Sequence, residues 1–191
     1  VEKKEELKSV NAELAALQLA FGQNLLQETA AFKLVIDKEE DLAGLTANQI
    51  AEAASRAEKA GMAGKWVFGL DNPSVMPFLA NADNRELRKQ ILEAYLNRGN
   101  NGNAQDNNEV IRKLVELRLK KAQIMGCENY AQFALGNRMA KSEEAVYNLL
   151  DQIWEPALKV AKQEAEQMQQ MVRGASLTHR RTFYKILEEQ L

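Results

Sequence analysis

A chain of 191 residues can bury one sizeable core, and its 25 Lys and Arg against 27 Asp and Glu leave a net charge of -2, which gives no bulk attraction to nucleic acid or anionic lipid. No apolar run approaches the roughly 20 residues of a membrane span, and nothing near Val1 resembles the apolar core of a signal peptide. One cysteine, Cys127, excludes an intrachain disulfide framework, and one histidine, His179, with one distant cysteine cannot make a standard zinc site.

From Glu2 to about Thr29, Leu7, Val10, Leu14, Leu17 and Phe21 recur at spacings of three and four, which predicts an amphipathic helix. A seam of barely two heptads fits an antiparallel helical hairpin within the chain better than a dimeric coiled coil. A β-prone run follows, its strand over about Phe32–Ile36, and it ends in the acidic cluster Lys38 to Asp41. Thr46 with Gln49 is a capping box that opens the next helix, and Gly61 and Gly64 close it. Lys65–Leu70 is the second strand. Two strands this short require helices beneath them, so the expected sheet is a small two-stranded element.

Asp71, Asn72 and Pro73 make a turn, with Pro73 suited to the first turn of a short helix that Pro77 is expected to end or kink. Asp83 with Glu86 reads as a second capping box, opening a helix that buries Leu87, Ile91, Ala94 and Tyr95 and stops near Gly99. Asn97 to Asn108 holds six Asn, two Gly and one Asp. Read as a calcium loop from Asn97, it has Gly99 at the third position and Asn108 at the twelfth. An EF-hand requires an oxygen-bearing side chain at the third position and a carboxylate at the twelfth, so the stretch reads as a solvated connection. Asp106 with Glu109 is a third capping box, ahead of a helix through Val110, Leu114, Leu117 and Ile124. A short helix includes Tyr130 and Phe133. Ser142 then caps a long helix whose stripe is Val146, Leu150, Ile153, Ala157 and Val160, with Pro156 predicted to kink it and Glu164 to Gln170 forming an exposed arm. A break after Gly174 precedes an amphipathic segment with Phe183, Ile186, Leu187 and Leu191. The fold class is therefore mainly α.

No residue pattern here carries catalysis. The chain lacks His-Glu-x-x-His, Gly-x-Ser-x-Gly, a Walker loop, a dinucleotide fingerprint and Cys-x-x-Cys. Adjacent pairs such as Glu39 with Glu40, or Glu143 with Glu144, point about 100° apart on a helix and read as solvated charge. His179 stands beside Arg180 and Arg181, which disfavour both its protonation and a bound cation. Trp66, Phe68 and Phe78 have no basic groove for base stacking and read as core. Arg85 and Arg88 read as helix-surface ion-pair partners, and Cys127 as a small packing residue.

Several ordered stretches go beyond periodicity. Trp66-Val67-Phe68-Gly69-Leu70-Asp71-Asn72-Pro73-Ser74, Pro77-Phe78, Ala82-Asp83-Asn84-Arg85-Glu86-Leu87-Arg88 and Ala94-Tyr95-Leu96-Asn97-Arg98-Gly99 closely resemble the oligopeptidase family of zinc metallopeptidases, the group of thimet oligopeptidase, oligopeptidase A and the bacterial peptidyl-dipeptidases, and the last most of all. Phe21-Gly22-Gln23-Asn24-Leu25-Leu26, Leu42-Ala43-Gly44-Leu45, Asn129-Tyr130-Ala131 and Met139-Ala140-Lys141-Ser142 agree in the same order, so the resemblance spans about Leu7 to Val172. It implies a helical piece of a two-lobed enzyme whose channel admits oligopeptides but not folded proteins. Zinc in that family is held by the two histidines of His-Glu-x-x-His and a downstream Glu, and the motif's Glu activates the metal-bound water. None of these residues has a counterpart here, so no catalytic, cofactor-binding or metal-ligating residue is assigned.

The resemblance implies residues 1–172 as a helical lobe and residues 173–191 as a tail, where Leu177 to Tyr184 depart from the family's aromatic-rich pattern. It further implies an N-terminal and middle fragment of the parent peptidase, inactive without the zinc half of the same polypeptide, with oligopeptide as the parent's substrate. The expected location is the cytoplasm, or the cell envelope where an export signal precedes. The alternative is a non-catalytic helical module that binds peptides or proteins.

Overall fold

The computed structural model describes residues 2–174. Seven α-helices, one 3-10 turn and two short strands follow in the order α1 (Glu2–Ala31), β1 (Leu34–Ile36), the 3-10 turn Glu39–Leu42, α2 (Ala47–Lys59), β2 (Trp66–Phe68), α3 (Asn72–Asn81), α4 (Arg85–Leu96), α5 (Asn108–Ile124), α6 (Tyr130–Leu135) and α7 (Glu143–Gly174). The mainly helical fold with a two-stranded element is thus the observed one. Two compact units divide it: Asn24–Asp106 forms one, and the first part of α1 with Asn107–Met171 forms the other.

In the Asn24–Asp106 unit, β1 and β2 pair antiparallel, with Leu34 opposite Phe68, Val35 opposite Val67 and Ile36 opposite Trp66. The alternation of the strand buries Leu34 and Ile36 and leaves Val35 facing out. Helices close over the buried side: Ala53 of α2, Val75, Phe78 and Leu79 of α3, and Ile91 and Leu92 of α4 complete one core with Phe68 and Leu70. The Phe68 and Phe78 rings lie 4.6 Å apart in a tilted pair, so these aromatics are core, as their sequence context indicated. The capping box of α2 forms as predicted, with Gln49 N donating to Thr46 Oγ1 and Thr46 N donating to Gln49 Oε1 at 2.7 Å.

α3 runs through Pro77 and stops about one turn later at Asn81, as the expected end within a turn requires, with Val75 and Phe78 fully buried. Two local expectations are corrected. The N-cap of α4 is Asn84 rather than Asp83, whose N–H donates to Ala43 O at 2.8 Å in the preceding turn. Asn84 Oδ1 instead accepts from Leu87 N, while its Nδ2 donates to Asp41 Oδ1 at 2.7 Å. Likewise α5 starts after Asn107, not Asp106. The Asn107 side chain is 1% exposed and donates to Phe21 O, whereas Asp106 Oδ2 accepts from Gly102 N.

In the other unit, the seam of α1 finds its partner in α5. Val10, Leu14 and Leu17 pack against Val110, Leu114, Leu117 and Ile124. Asn107 meets Phe21 at one end and Lys120 pairs with Glu6 at the other, so the two segments run antiparallel, as the expected hairpin requires. Ser142 Oγ accepts from Ala145 N and caps α7, a single helix through Pro156. Tyr147, Leu150, Ile153 and Trp154 on α7 are each more than half exposed. The segment after Gly174, including His179, lies outside the described residues.

Candidate functional site

Residues around the signature stretches form a set of buried and half-buried polar ties in the Asn24–Asp106 unit. Arg56 on α2 holds Asp71 bidentately, Nη1 to Oδ1 at 2.6 Å and Nη2 to Oδ2 at 3.0 Å, and also reaches Glu52. Hydrogen bonding and the charge of Arg56 keep the Asp71 carboxyl below its usual range, and Asp71 holds the guanidinium above its own. Three residues on, Ser74 Oγ accepts from Gly69 N at 3.0 Å and closes the turn between β2 and α3. Arg88 is not the surface ion-pair residue that helical spacing suggested. It is 4% exposed and donates to the carbonyls of Ala82 at 2.5 Å and Asp83 at 2.9 Å, capping the C-terminal end of α3. Gly44, with φ of +87°, lies against the same Asn81–Asp83 turn.

The Asn/Gly connection after α4 is more organised than a solvated loop. It wraps a protein carboxylate: Glu28, 8% exposed, accepts from Gly99 N, from Asn101 Nδ2 at both oxygens and from Asn103 Nδ2 at 2.6 Å. The polarity is the reverse of a calcium loop, with N–H groups turned inward on an anion. Burial pushes the Glu28 carboxyl up and the nearby Asp106 adds to that, but the three donors outweigh both and hold it below its ordinary value.

Beside this loop lies a cavity of about 550 Å³. Ala31, Phe32, Leu70 and Ala94 give it apolar walls, and Gln27, Arg98 and the amides of the loop give it polar ones. Arg98 is fixed by three contacts: its Nε donates to Tyr95 O at 2.9 Å, its Nη1 to Thr29 Oγ1 at 3.2 Å, and its guanidinium stacks 3.8 Å from the Tyr95 ring centre. A second cavity of about 450 Å³ shares Phe32, Ala94 and Asn101 with the first and extends past Leu34.

Among the described residues, no group of three or more His, Cys, Asp or Glu side chains could hold a metal ion. No described helix is long and apolar enough to cross a membrane.

Comparison with known proteins places these features. The model of Peptidase family M3 matches residues 78–186, more than half of the chain. The chain belongs to peptidase family M3. Three relatives illustrate the range: a probable cytosolic oligopeptidase A of Arabidopsis thaliana is 32% identical over the whole chain, a dipeptidyl carboxypeptidase of Salmonella typhimurium 32% identical over 91% of it, and an oligopeptidase A of Haemophilus influenzae 30% identical over 87%. The chain spans 30%, 25% and 25% of these relatives' lengths respectively. The family resemblance drawn from the ordered stretches is therefore the correct one. The M3 match begins at Phe78, which is fully buried, and runs through α4 and its loop into α7.

Sequence reasoning missed Glu28, Arg88 and Arg98 as organising residues. Glu28 and the loop it holds are separated by more than 70 positions, and no periodicity links them. A weak signal exists for Arg88: it sits one position after Leu87 and three before Ile91, on the face that the apolar residues share.

Proposed function

We propose that this chain is part of an M3 zinc peptidase that hydrolyses peptide bonds of short peptides, with residues 1–172 as a helical lobe and residues 173–191 as its tail. The observation that carries the reading is family membership together with relatives named as oligopeptidases and a dipeptidyl carboxypeptidase, of which the chain spans only a quarter to three-tenths. Zinc is the family's metal, and the described residues hold no donor set that fits it, so no catalytic step is routed through a metal on this chain. The chemistry resides in a catalytic half of the same polypeptide, and this chain contributes packing surface and substrate contacts. The exposed stripe of Tyr147, Leu150, Ile153 and Trp154 on α7 supports that arrangement, since an apolar row of this width is usually covered. A cytoplasmic location belongs to the same reading, in keeping with the relative named as cytosolic.

Two measurements test it. The reading frame downstream of Leu191 is expected to encode His-Glu-x-x-His, and a frame without that motif leaves only a non-catalytic helical module. The purified 191-residue chain is expected to retain only substoichiometric zinc after dialysis and to leave oligopeptides uncleaved. One tightly held zinc per chain, or peptide cleavage by the chain alone, would overturn the assignment of catalysis to a separate half.

A further inference from the structure

We propose that the cavity beside the Asn/Gly loop receives the carboxylate end of a short peptide, with Arg98 as the anchoring cation. The choice of a peptide rests on the peptidase reading above; the choice of a carboxylate rests on the geometry. A guanidinium carries five N–H donors, and Arg98 uses two of them, on Tyr95 O and Thr29 Oγ1. The remaining three lie on its two terminal nitrogens. No carboxylate among the described residues pairs with Arg98, although Arg56 and Arg112, elsewhere in the chain, each hold two. Stacking on Tyr95 and the two hydrogen bonds fix the group before any ligand arrives, and a fixed planar fork with free donors matches an oxyanion that offers two oxygens.

The one anion in the cavity wall does not compete for it. Both oxygens of Glu28 are committed to Gly99, Asn101 and Asn103, so Glu28 neither neutralises Arg98 by contact nor offers a free oxygen to a ligand's ammonium group. The ligand's amino end therefore has no partner beside its carboxylate, which favours an extended peptide over a free amino acid. The adjoining cavity past Leu34, which Lys33 and Glu93 also line, gives such a chain a path, and Phe32 and Ala94 give an apolar C-terminal side chain a surface to cover. The volume of about 550 Å³ suits a group of one or two residues.

The test is a calorimetric titration of the 191-residue chain with N-acetyl-Ala-Ala-Leu as the free acid, with its C-terminal amide, and with inorganic phosphate. The free acid is expected to bind, and the amide to bind at least about tenfold more weakly, as loss of a charge-assisted pair requires. Arg98→Lys, which keeps the charge but loses the fork, is expected to weaken the acid similarly. Equal binding of acid and amide, no binding of either, or phosphate competing as well as the acid would each overturn the proposal. The acid and amide comparison uses unaltered protein, so misfolding of a variant cannot imitate the result. A missing downstream zinc motif would sink the peptidase reading while leaving this outcome untouched.

Discussion

Gly44→Ala is expected to cost about 2–5 kcal/mol of stability, read as a loss in the denaturant midpoint of the Asn24–Asp106 unit with little change in slope. Two effects combine. The residue has φ of +87°, where an L side chain adds roughly 1–2 kcal/mol of strain. A Cβ there would also press inside van der Waals contact of the Asn81 carbonyl oxygen and lie 2.8 Å from Asp83 Oδ1. The Asn81 oxygen is backbone at the end of α3, so it cannot swing aside as a flexible side chain would. Ala43 O next to it accepts from Asp83 N, so relief of the clash would break that bond as well. Gly61→Ala provides the control. Its φ of +73° carries the strain, but open space surrounds it, so its cost should stay near 1 kcal/mol. Equal costs at the two sites would show that close approach at Gly44 contributes nothing.

The two glycines also show how far the sequence could be read. At Gly61 and Gly64 the end of the apolar period marks a helix stop, and local pattern suffices. Gly44 is tight because of the Asn81–Asp83 turn some 40 positions away, which no local pattern reports. The same division holds elsewhere. Thr46 and Gln49 are three apart, so their capping box was legible. The caps at Asn84 and Asn107 lie one residue beyond those the local spacing predicts, and each cap side chain also bonds a distant partner, Asp41 and Phe21 respectively, that no local pattern reports. The family resemblance was legible for a different reason: it rests on ordered stretches such as Leu42-Ala43-Gly44-Leu45 and Ala82-Asp83-Asn84, which meet in the fold although no local pattern reports the contact. The candidate binding cavity was illegible for want of such a record. It is lined by Arg98, with which no carboxylate among the described residues pairs, and by Glu28, which the helical pattern of α1 presents as one more polar residue.

Glu28→Gln is expected to destabilise the Asn24–Asp106 unit by about 2–3 kcal/mol at neutral pH, despite its nearly unchanged shape. The carboxylate only accepts, and its partners, Gly99 N, Asn101 Nδ2 and Asn103 Nδ2, only donate. A glutamine must turn its amide nitrogen toward one of these donors, leaving two N–H groups facing each other where the carboxylate had accepted from both. The pH dependence separates this account from a general packing defect. Glu28 has its carboxyl lowered in the folded state, so its contribution is complete above the ordinary glutamate range and is lost as pH falls through the lowered folded value. Asp106, which faces it, acts in the opposite sense and narrows that window without reversing it. Denaturant unfolding of parent and variant should therefore show a gap that is constant near neutrality and closes as the solution becomes strongly acidic. A gap that persists unchanged to low pH would mean that the loss comes from shape rather than charge. A gap below about 0.5 kcal/mol at neutral pH would mean that the Asn/Gly loop holds itself together without the buried anion.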